Sequence, residues 1–120
     1  MIFEDKLVEG ILVVKPLDKR IDASSAENFK GQMIDWINNG YNYIALDLSE
    51  VDFIDSSGLV AIVSALKMIN SKGDLVICCM KEAVMNLFRL TRMNRVFQIF
   101  SSDEDAVKAL SNILKTIPLP

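Results

Sequence analysis

The stretch VDFIDSSGLV, residues 51–60, joins one apolar run to another through the polar sequence Asp-Ser-Ser-Gly. Aspartate and serine are preferred just before a helix because their side-chain oxygens accept hydrogen bonds from backbone N–H groups that lack partners inside the helix. Downstream, apolar residues recur at the spacing of one helix face: Leu59, Ile62, Val63, Leu66 and Ile69. The stretch therefore predicts that a largely buried helix begins within residues 55–58.

The segments before this junction predict a hairpin, a helix and a buried strand. Residues 3–17 form two extended segments around Glu9-Gly10, as in a β-hairpin. Residues 22–40 have helical periodicity, with Ser24 and Glu27 spaced as a capping box. Residues 41–51 have a continuous apolar centre, which is typical of a strand covered on both faces.

The segments after the junction predict two further strands and two further helices. Residues 74–80 and 96–100 are the strands, and residues 82–94 and 101–115 are the helices. We expect Val84, Leu87 and Leu90 to face inward in the first of these helices. Ser102 and Asp105 are spaced as a cap for the second. The predicted fold class is α/β, a mixed and mainly parallel sheet of about five strands with four helices packed against it.

Length, composition and charge limit the classes of protein that the chain can represent. At 120 residues, of which 51% are hydrophobic, the chain predicts one domain over residues 1–120, with its core at about 5–112 and a frayed tail at 116–120. The net charge of −3 argues against general binding to nucleic acid or acidic membranes. The longest apolar run, residues 59–69, is far shorter than the roughly 20 residues of a membrane span. We therefore expect a cytoplasmic protein.

Several kinds of catalysis lack the residues they need. The chain has no histidine, which is the usual base for a serine nucleophile. Ile54 stands where a nucleophile elbow would have glycine. The chain contains no glycine-rich phosphate-binding motif, so we expect no nucleotide cofactor. Cys78 and Cys79 are adjacent, without metal-type spacing, and are interpreted as buried core thiols. No catalytic residue is assigned, and the chain is not expected to be an enzyme.

Two charged clusters allow both a functional and an ordinary interpretation. Asp47, Asp52 and Asp55 surround one strand-to-helix connection and offer oxygen ligands suited to Mg²⁺, but aspartates are also common caps at such positions. We favour caps and assign no metal site. Three arginines at positions 89, 92 and 95 would lie close together if the third helix continued that far. They form either a solvated helix face or a patch for an acidic partner.

The two serines of the opening stretch also have two interpretations. Capping alone accounts for residues 55–58. A phosphate on Ser56 would also be well placed, because the start of a helix has a positive partial charge and free N–H groups. It would add about −1.5 to −2 of charge, which the helix should tolerate. If Asp22, Asp52 and Asp55 lie close by, the local surface would become strongly negative.

Three blocks of the chain resemble the STAS domain, whose name stands for sulfate transporter and anti-sigma factor antagonist. The blocks are RIDASSAENF (20–29), ALDLSEVDFIDSSGLVAI (45–62) and LVICCMKEAVMNLFRLTRMNRVF (75–97). Their order and spacing match the family over roughly residues 5–112. Asp-Ser-Ser-Gly-Leu after an apolar strand is the most specific of these features.

The resemblance implies a regulatory protein that is a substrate and binding partner. Free-standing bacterial members of the family bind an anti-sigma factor with serine kinase activity, which then releases its sigma factor. The kinase phosphorylates the serine directly after the motif's aspartate, and a metal-dependent serine phosphatase reverses the modification. Carried onto this sequence, the acceptor is Ser56 and not Ser57. The implied partner-binding residues are Asp22, Asp55, Ser56, Ser57, Gly58 and Leu59.

Three positions depart from the family's pattern. Lys19, Val60 and Arg92 stand where many members have glycine. All three are larger side chains near functional loops, so they bear on the identity of the partner more than on the fold.

Two other functions remain open at this stage. The same fold serves as a subunit of stressosome-like or lipid-transport complexes, or as a domain detached from an anion transporter. A receiver-type domain phosphorylated on Asp55 has a similar length and element order. Receivers, however, need an acidic pair after the first strand to hold Mg²⁺, and the corresponding segment offers only Asp18.

Overall fold

The computed structural model describes residues 1–116 and shows a five-stranded mixed sheet with helices on both faces. The strands of this sheet are β1 (Phe3–Val8), β2 (Ile11–Pro16), β4 (Tyr43–Asp47), β6 (Asp74–Cys78) and β7 (Ile99–Phe100), in the spatial order β1-β2-β4-β6-β7. The helices are α1 (Ala26–Asn38), α2 (Ser56–Ile69), α3 (Glu82–Leu90) and α4 (Asp103–Thr116). The predicted fold class is confirmed.

Strand pairing follows the predicted order of elements. The first two strands are antiparallel, and the other pairs in the sheet are parallel. Glu9 and Gly10 connect β1 to β2 with φ angles of 53° and 81°. Two consecutive residues with positive φ make the tight turn whose twist suits a hairpin, so the predicted hairpin is confirmed.

Two apolar cores lie on opposite faces of the sheet. Along β4, Ile44 and Leu46 belong to the larger core, which α1, α2 and α3 cover, whereas Ala45 belongs to the smaller core beneath α4. Burial on both faces explains the continuous apolar run of this strand. Of the tail predicted at 116–120, Thr116 is the last residue of α4, and the remaining residues lie outside the described part of the chain.

A second, two-stranded sheet was not predicted from the sequence. It pairs β3 (Arg20–Ile21) with β5 (Phe53–Ile54) in parallel. Strands of two residues are too short to show an alternating pattern. This small sheet joins the loop before α1 to the loop before α2.

The predicted capping box of the first helix is wrong. The helix begins after Ser25, which makes no side-chain cap, and the hydroxyl of Ser24 donates instead to Oδ1 of Asp22 at 2.7 Å. The Ser25 hydroxyl oxygen accepts a hydrogen bond from the Asp22 N–H at 3.1 Å. The serines thus stabilise the loop before the helix, because a carboxylate two residues away is a strong local acceptor.

The third helix is shorter than predicted. It ends at Leu90, which is 84% exposed rather than inward, and Phe88 is buried instead. Arg92 adopts a left-handed conformation with φ of 61°, which turns the chain so that Phe97 packs edge-on against Phe88. Because the helix stops before this turn, the arginines at 89, 92 and 95 do not share one helix face. The predicted 96–100 strand is reduced to its last two residues.

Candidate functional site at the start of the second helix

The small sheet brings together the polar loop before α1 and the polar loop before α2. Arg20 is paired with Phe53, and Ile21 with Ile54. The guanidinium of Arg20 also lies over the Phe53 ring, 4.1 Å from its centroid. The segment before α1 therefore lies directly beside the start of α2, although about thirty positions separate them in the chain.

Asp55 caps α2 and fastens it to the neighbouring loop. One carboxylate oxygen accepts the Gly58 N–H at 3.0 Å, and the other accepts the Ala23 N–H at 3.1 Å. The predicted capping role is confirmed for Asp55. Both oxygens are engaged by backbone donors, so this aspartate holds the site in shape.

Gly58 allows the close approach of the two loops. A Cβ atom placed on this residue would lie 2.2 Å from the carbonyl oxygen of Ile21, far inside van der Waals contact. The reason for glycine here is lack of space, since its backbone lies in the first turn of an ordinary helix.

Asp22 organises the other side of the site. Its carboxylate accepts hydrogen bonds from the N–H of Ser24 at 3.1 Å and from Nε of Arg20 at 3.3 Å, besides the Ser24 hydroxyl. The hydrogen bond from that hydroxyl, and next the one from Arg20, lower the pKa of Asp22 below its usual value. The side chain is therefore negatively charged at neutral pH.

The two serines differ in their surroundings. Ser56, the first residue of α2, is exposed, whereas Ser57 is half-buried. Within residues 1–116, neither hydroxyl makes a hydrogen bond to another protein group. Both line a groove of about 320 Å³ between the starts of the first two helices; its other polar lining residues are Glu27, Lys30 and Ser64. Among the described residues, the site thus presents two unbonded hydroxyls at a helix start, in a groove that a lysine also lines.

The remaining residues expected at the site lie in varied positions. Leu59 is half-buried and packs against the larger core, while its neighbour Val60 is 64% exposed and lines the groove. Sequence reasoning missed Lys30 as part of the site. Its position on α1 has the helical spacing of a solvated face, so only the packing of α1 against α2 reveals it.

The three aspartates considered as a magnesium site do not converge among the described residues. Asp52 pairs with the ammonium group of Lys81, which lowers the pKa of the carboxyl group. Asp55 caps α2, and Asp47 lies on the smaller core's side of the sheet, grouped with two cysteines. The interpretation of these aspartates as a joint metal site receives no geometric support.

Two of the three unusual positions have a local explanation. Lys19 is exposed and forms an ion pair with Glu50 at 3.4 Å. Arg92 occupies a left-handed conformation, which glycine adopts without steric cost. A family preference for glycine at that position therefore has a conformational reason.

Comparison with known proteins identifies the family. The STAS domain profile matches residues 3–106. A Thermotoga maritima protein provisionally named an anti-sigma factor antagonist is 33% identical over 108 residues, which cover 88% of this chain and 95% of that protein. A crystal structure of a Thermotoga maritima protein with the same provisional name has a TM-score of 0.84 at 32% identity, and the match covers 90% of this chain and 93% of that one.

A further relative is the anti-sigma F factor antagonist of Paenibacillus polymyxa. It is 28% identical over 103 residues, which cover 84% of this chain and 87% of that protein. The chain belongs to the STAS domain family, so the resemblance drawn from the sequence is confirmed. None of the helices in residues 1–116 has the length and apolar character needed to cross a bilayer.

Proposed function

We propose that this protein is a cytoplasmic anti-sigma factor antagonist that phosphorylation on Ser56 switches off. In the unphosphorylated state it binds an anti-sigma factor with serine kinase activity and so frees a sigma factor. A serine phosphatase restores the binding state. The observation that carries the proposal is the exposed Ser56 hydroxyl, which has no protein partner among the described residues, at the first position of α2.

The helix start suits a phosphate group. Backbone N–H groups in a first helical turn have no partners inside the helix, and their positive partial charge favours an anion. The Asp55 carboxylate already accepts the Gly58 N–H. The cap can therefore stay in place while a phosphate on Ser56 accepts hydrogen bonds from other backbone N–H groups at the N-terminus of α2. Lys30 lines the same groove, and the positive charge of its ammonium group favours a phosphate there.

Exposure favours Ser56 over Ser57 as the acceptor. A kinase must place the hydroxyl oxygen in line with the γ-phosphate of ATP, which requires an accessible side chain. Ser56 is exposed, whereas Ser57 is half-buried. Asp55 is a poor acceptor, because backbone N–H groups occupy both of its oxygens, and this argues against the receiver-type alternative.

The switch would act through charge at the partner surface, which includes Asp22, Asp55 and residues 56–59. Phosphorylation adds about −1.5 to −2 of charge at a surface where Asp22 is held ionised. An acidic partner group opposite the hydroxyl would then be repelled, and a partner pocket shaped for serine would be too small. Like-charge contacts of this kind cost several kcal/mol at an interface.

Phosphorylation by candidate serine-kinase anti-sigma factors tests the proposal. The chain is incubated with each kinase and ATP, and any phosphate is located by mass spectrometry. We expect label on Ser56, none on Ser56→Ala, and full labelling of the matched control Ser57→Ala. Label on Ser57 or Asp55, or no label with any candidate kinase, would contradict the proposal.

A further inference from the structure

Three sulfur and oxygen donors lie together at one edge of the sheet, away from the serine site. Asp47 is the last residue of β4, and Cys78 is the last residue of β6; the two stand opposite each other in parallel register. Cys79 follows directly. One carboxylate oxygen and both sulfur atoms lie within 4.8 Å of one another.

The backbone of Cys79 accounts for this convergence. Successive side chains of a strand point to opposite faces, so two adjacent cysteines would normally be separated by the sheet. Cys79 instead adopts a left-handed conformation with φ of 64° and contacts the smaller core, to which Cys78 also belongs. A non-glycine residue in this conformation costs about 1–2 kcal/mol. The turn after the strand thus places both thiols on the face that α4 covers.

Two of the three donors are well shielded from water, and Cys79 is half-buried. Cys78 is fully buried and Asp47 is only 7% exposed. One Asp47 oxygen accepts the Ser49 N–H at 2.9 Å. Burial raises the pKa of both thiols, and the nearby Asp47 charge raises it further. A cation would reverse this balance, since it stabilises thiolates.

An open cavity beside Asp47 offers an entry route for a cation. Asp47 lines an open cavity of about 290 Å³ whose other charged residues are Glu4, Asp5, Lys6, Lys15 and Asp103. Acidic groups outnumber basic ones there by four to two, which favours entry of a cation.

We propose that Asp47, Cys78 and Cys79 form a binding site for a thiophilic divalent cation of the Zn²⁺ type. Two sulfurs and one carboxylate oxygen are a ligand set that Zn²⁺ accepts, with a water completing a tetrahedron from the cavity. Binding releases the two thiol protons to solvent and forms two metal–sulfur bonds and one metal–oxygen bond; no electrons are transferred. Bond lengths of about 2.3 Å to sulfur and 2.0–2.2 Å to oxygen require the donors to draw together slightly.

Cobalt spectroscopy tests this site independently of the serine switch. Metal-free protein, kept reduced by a phosphine that does not bind metals, is titrated with Co²⁺. We expect a saturable 1:1 complex that shows thiolate-to-cobalt charge-transfer absorption and visible d–d bands as intense as those of tetrahedral Co²⁺. Both signals should disappear when Zn²⁺ displaces Co²⁺. Absence of charge-transfer absorption at saturating Co²⁺ would overturn the proposal.

Variants identify the ligands without relying on the fully buried thiol. Cys79→Ser should weaken Co²⁺ binding by more than about tenfold and reduce the charge-transfer intensity, and Asp47→Asn should weaken it by at least a similar factor. Asp103→Asn, which changes a charge in the same cavity but removes no donor, is the matched control and should retain the absorption. Unchanged affinity in both Cys79→Ser and Asp47→Asn would refute the assignment. Circular dichroism confirms that each variant is folded, and phosphorylation of Ser56 should be the same with and without metal.

Discussion

Single residues at the serine site have roles set by space and hydrogen bonding. Asp55 holds two loops together through its two oxygens, and Gly58 leaves room for the Ile21 carbonyl group. Ser56, between them, has no such structural duty among residues 1–116. Phosphorylation of Ser56 can therefore change the surface of the protein while Asp55 and Gly58 keep their contacts.

Substitution of Gly58 tests the close approach of the loops. We expect Gly58→Ala to lower the free energy of unfolding by about 3 kcal/mol, because the added methyl group meets a backbone carbonyl that cannot move alone. Gly31→Ala is the matched control, since nothing lies within 4 Å of the added carbon atom, and it should raise stability by about 0.5–1 kcal/mol. Urea denaturation measures both, and equal effects would contradict the steric explanation.

A charge mimic at Ser56 tests the switch. Ser56→Asp should keep the circular dichroism spectrum and thermal midpoint close to those of the parent, since a carboxylate is favourable at a helix start. Binding to the anti-sigma partner should fall by roughly a hundredfold, in line with a penalty of about 3 kcal/mol for unfavourable charge contacts. Calorimetry measures the affinity. Unfolding of this variant would mean that Ser56 has a structural role, and Ser56→Ala should still bind.

At the scale of elements, the small β3–β5 sheet and the start of α2 act as one unit. The Asp55 N–H donates to the Ile21 carbonyl oxygen at 3.2 Å, and the Asp55 side chain returns a contact to Ala23. The position of Asp22 relative to Ser56 therefore depends on the cap of α2. Loss of the cap should disturb the partner surface as well as the helix.

Substitutions of Asp55 separate these effects. Asp55→Ala should cost about 2 kcal/mol, at the upper end for an N-cap, because it also removes the acceptor for the Ala23 N–H. Asp55→Asn retains one side-chain oxygen as an acceptor and should cost less. Amide hydrogen exchange of Ala23 should accelerate more in the alanine variant. Equal exchange rates of the Ala23 amide in the two variants would contradict a hydrogen bond from Ala23 to Asp55 that joins the two loops.

At the scale of the whole molecule, the two candidate sites lie on opposite faces of the sheet. The α1–α3 side carries the serine site and the larger core, whereas the α4 side carries the smaller core and the Asp47–Cys78–Cys79 cluster. Because the sheet separates the two sites, we expect a substitution or modification at one site to leave the contacts of the other unchanged.

The pH dependence of stability follows from two surface aspartates. Hydrogen bonds lower the pKa of Asp22 and of Asp52 in the folded state, so the folded protein binds fewer protons there than the unfolded chain. Their stabilisation is therefore present above the unfolded value of about 3.9 and is lost as the pH falls through the lowered folded values. We expect urea midpoints to decline below about pH 4, and the decline should be smaller in Asp52→Asn. An identical decline in that variant would contradict a role for the Asp52–Lys81 pair.

Much of the fold was predictable because its signals are local. The hairpin turn at Glu9-Gly10, the buried central strands and the caps at Asp55 and Ser102 each depend on residues within a few positions. The third helix was less predictable. Leu90 has helical spacing, yet the turn at Arg92 ends the helix and leaves it exposed, since packing of Phe97 against Phe88 prevails.

The sequence by itself determined the order of the four helices and of the strands of the main sheet, the family and the presence of serines at a helix start, because periodicity and capping operate over neighbouring residues. Only the tertiary structure decided that Asp22 lies beside Asp55, that Ser56 is more exposed than Ser57, and that Lys30 shares their groove. It also turned Cys79 onto the same face as Cys78. These outcomes depend on strand pairing, helix packing and one left-handed residue, and the linear pattern of polar and apolar residues encodes none of them directly.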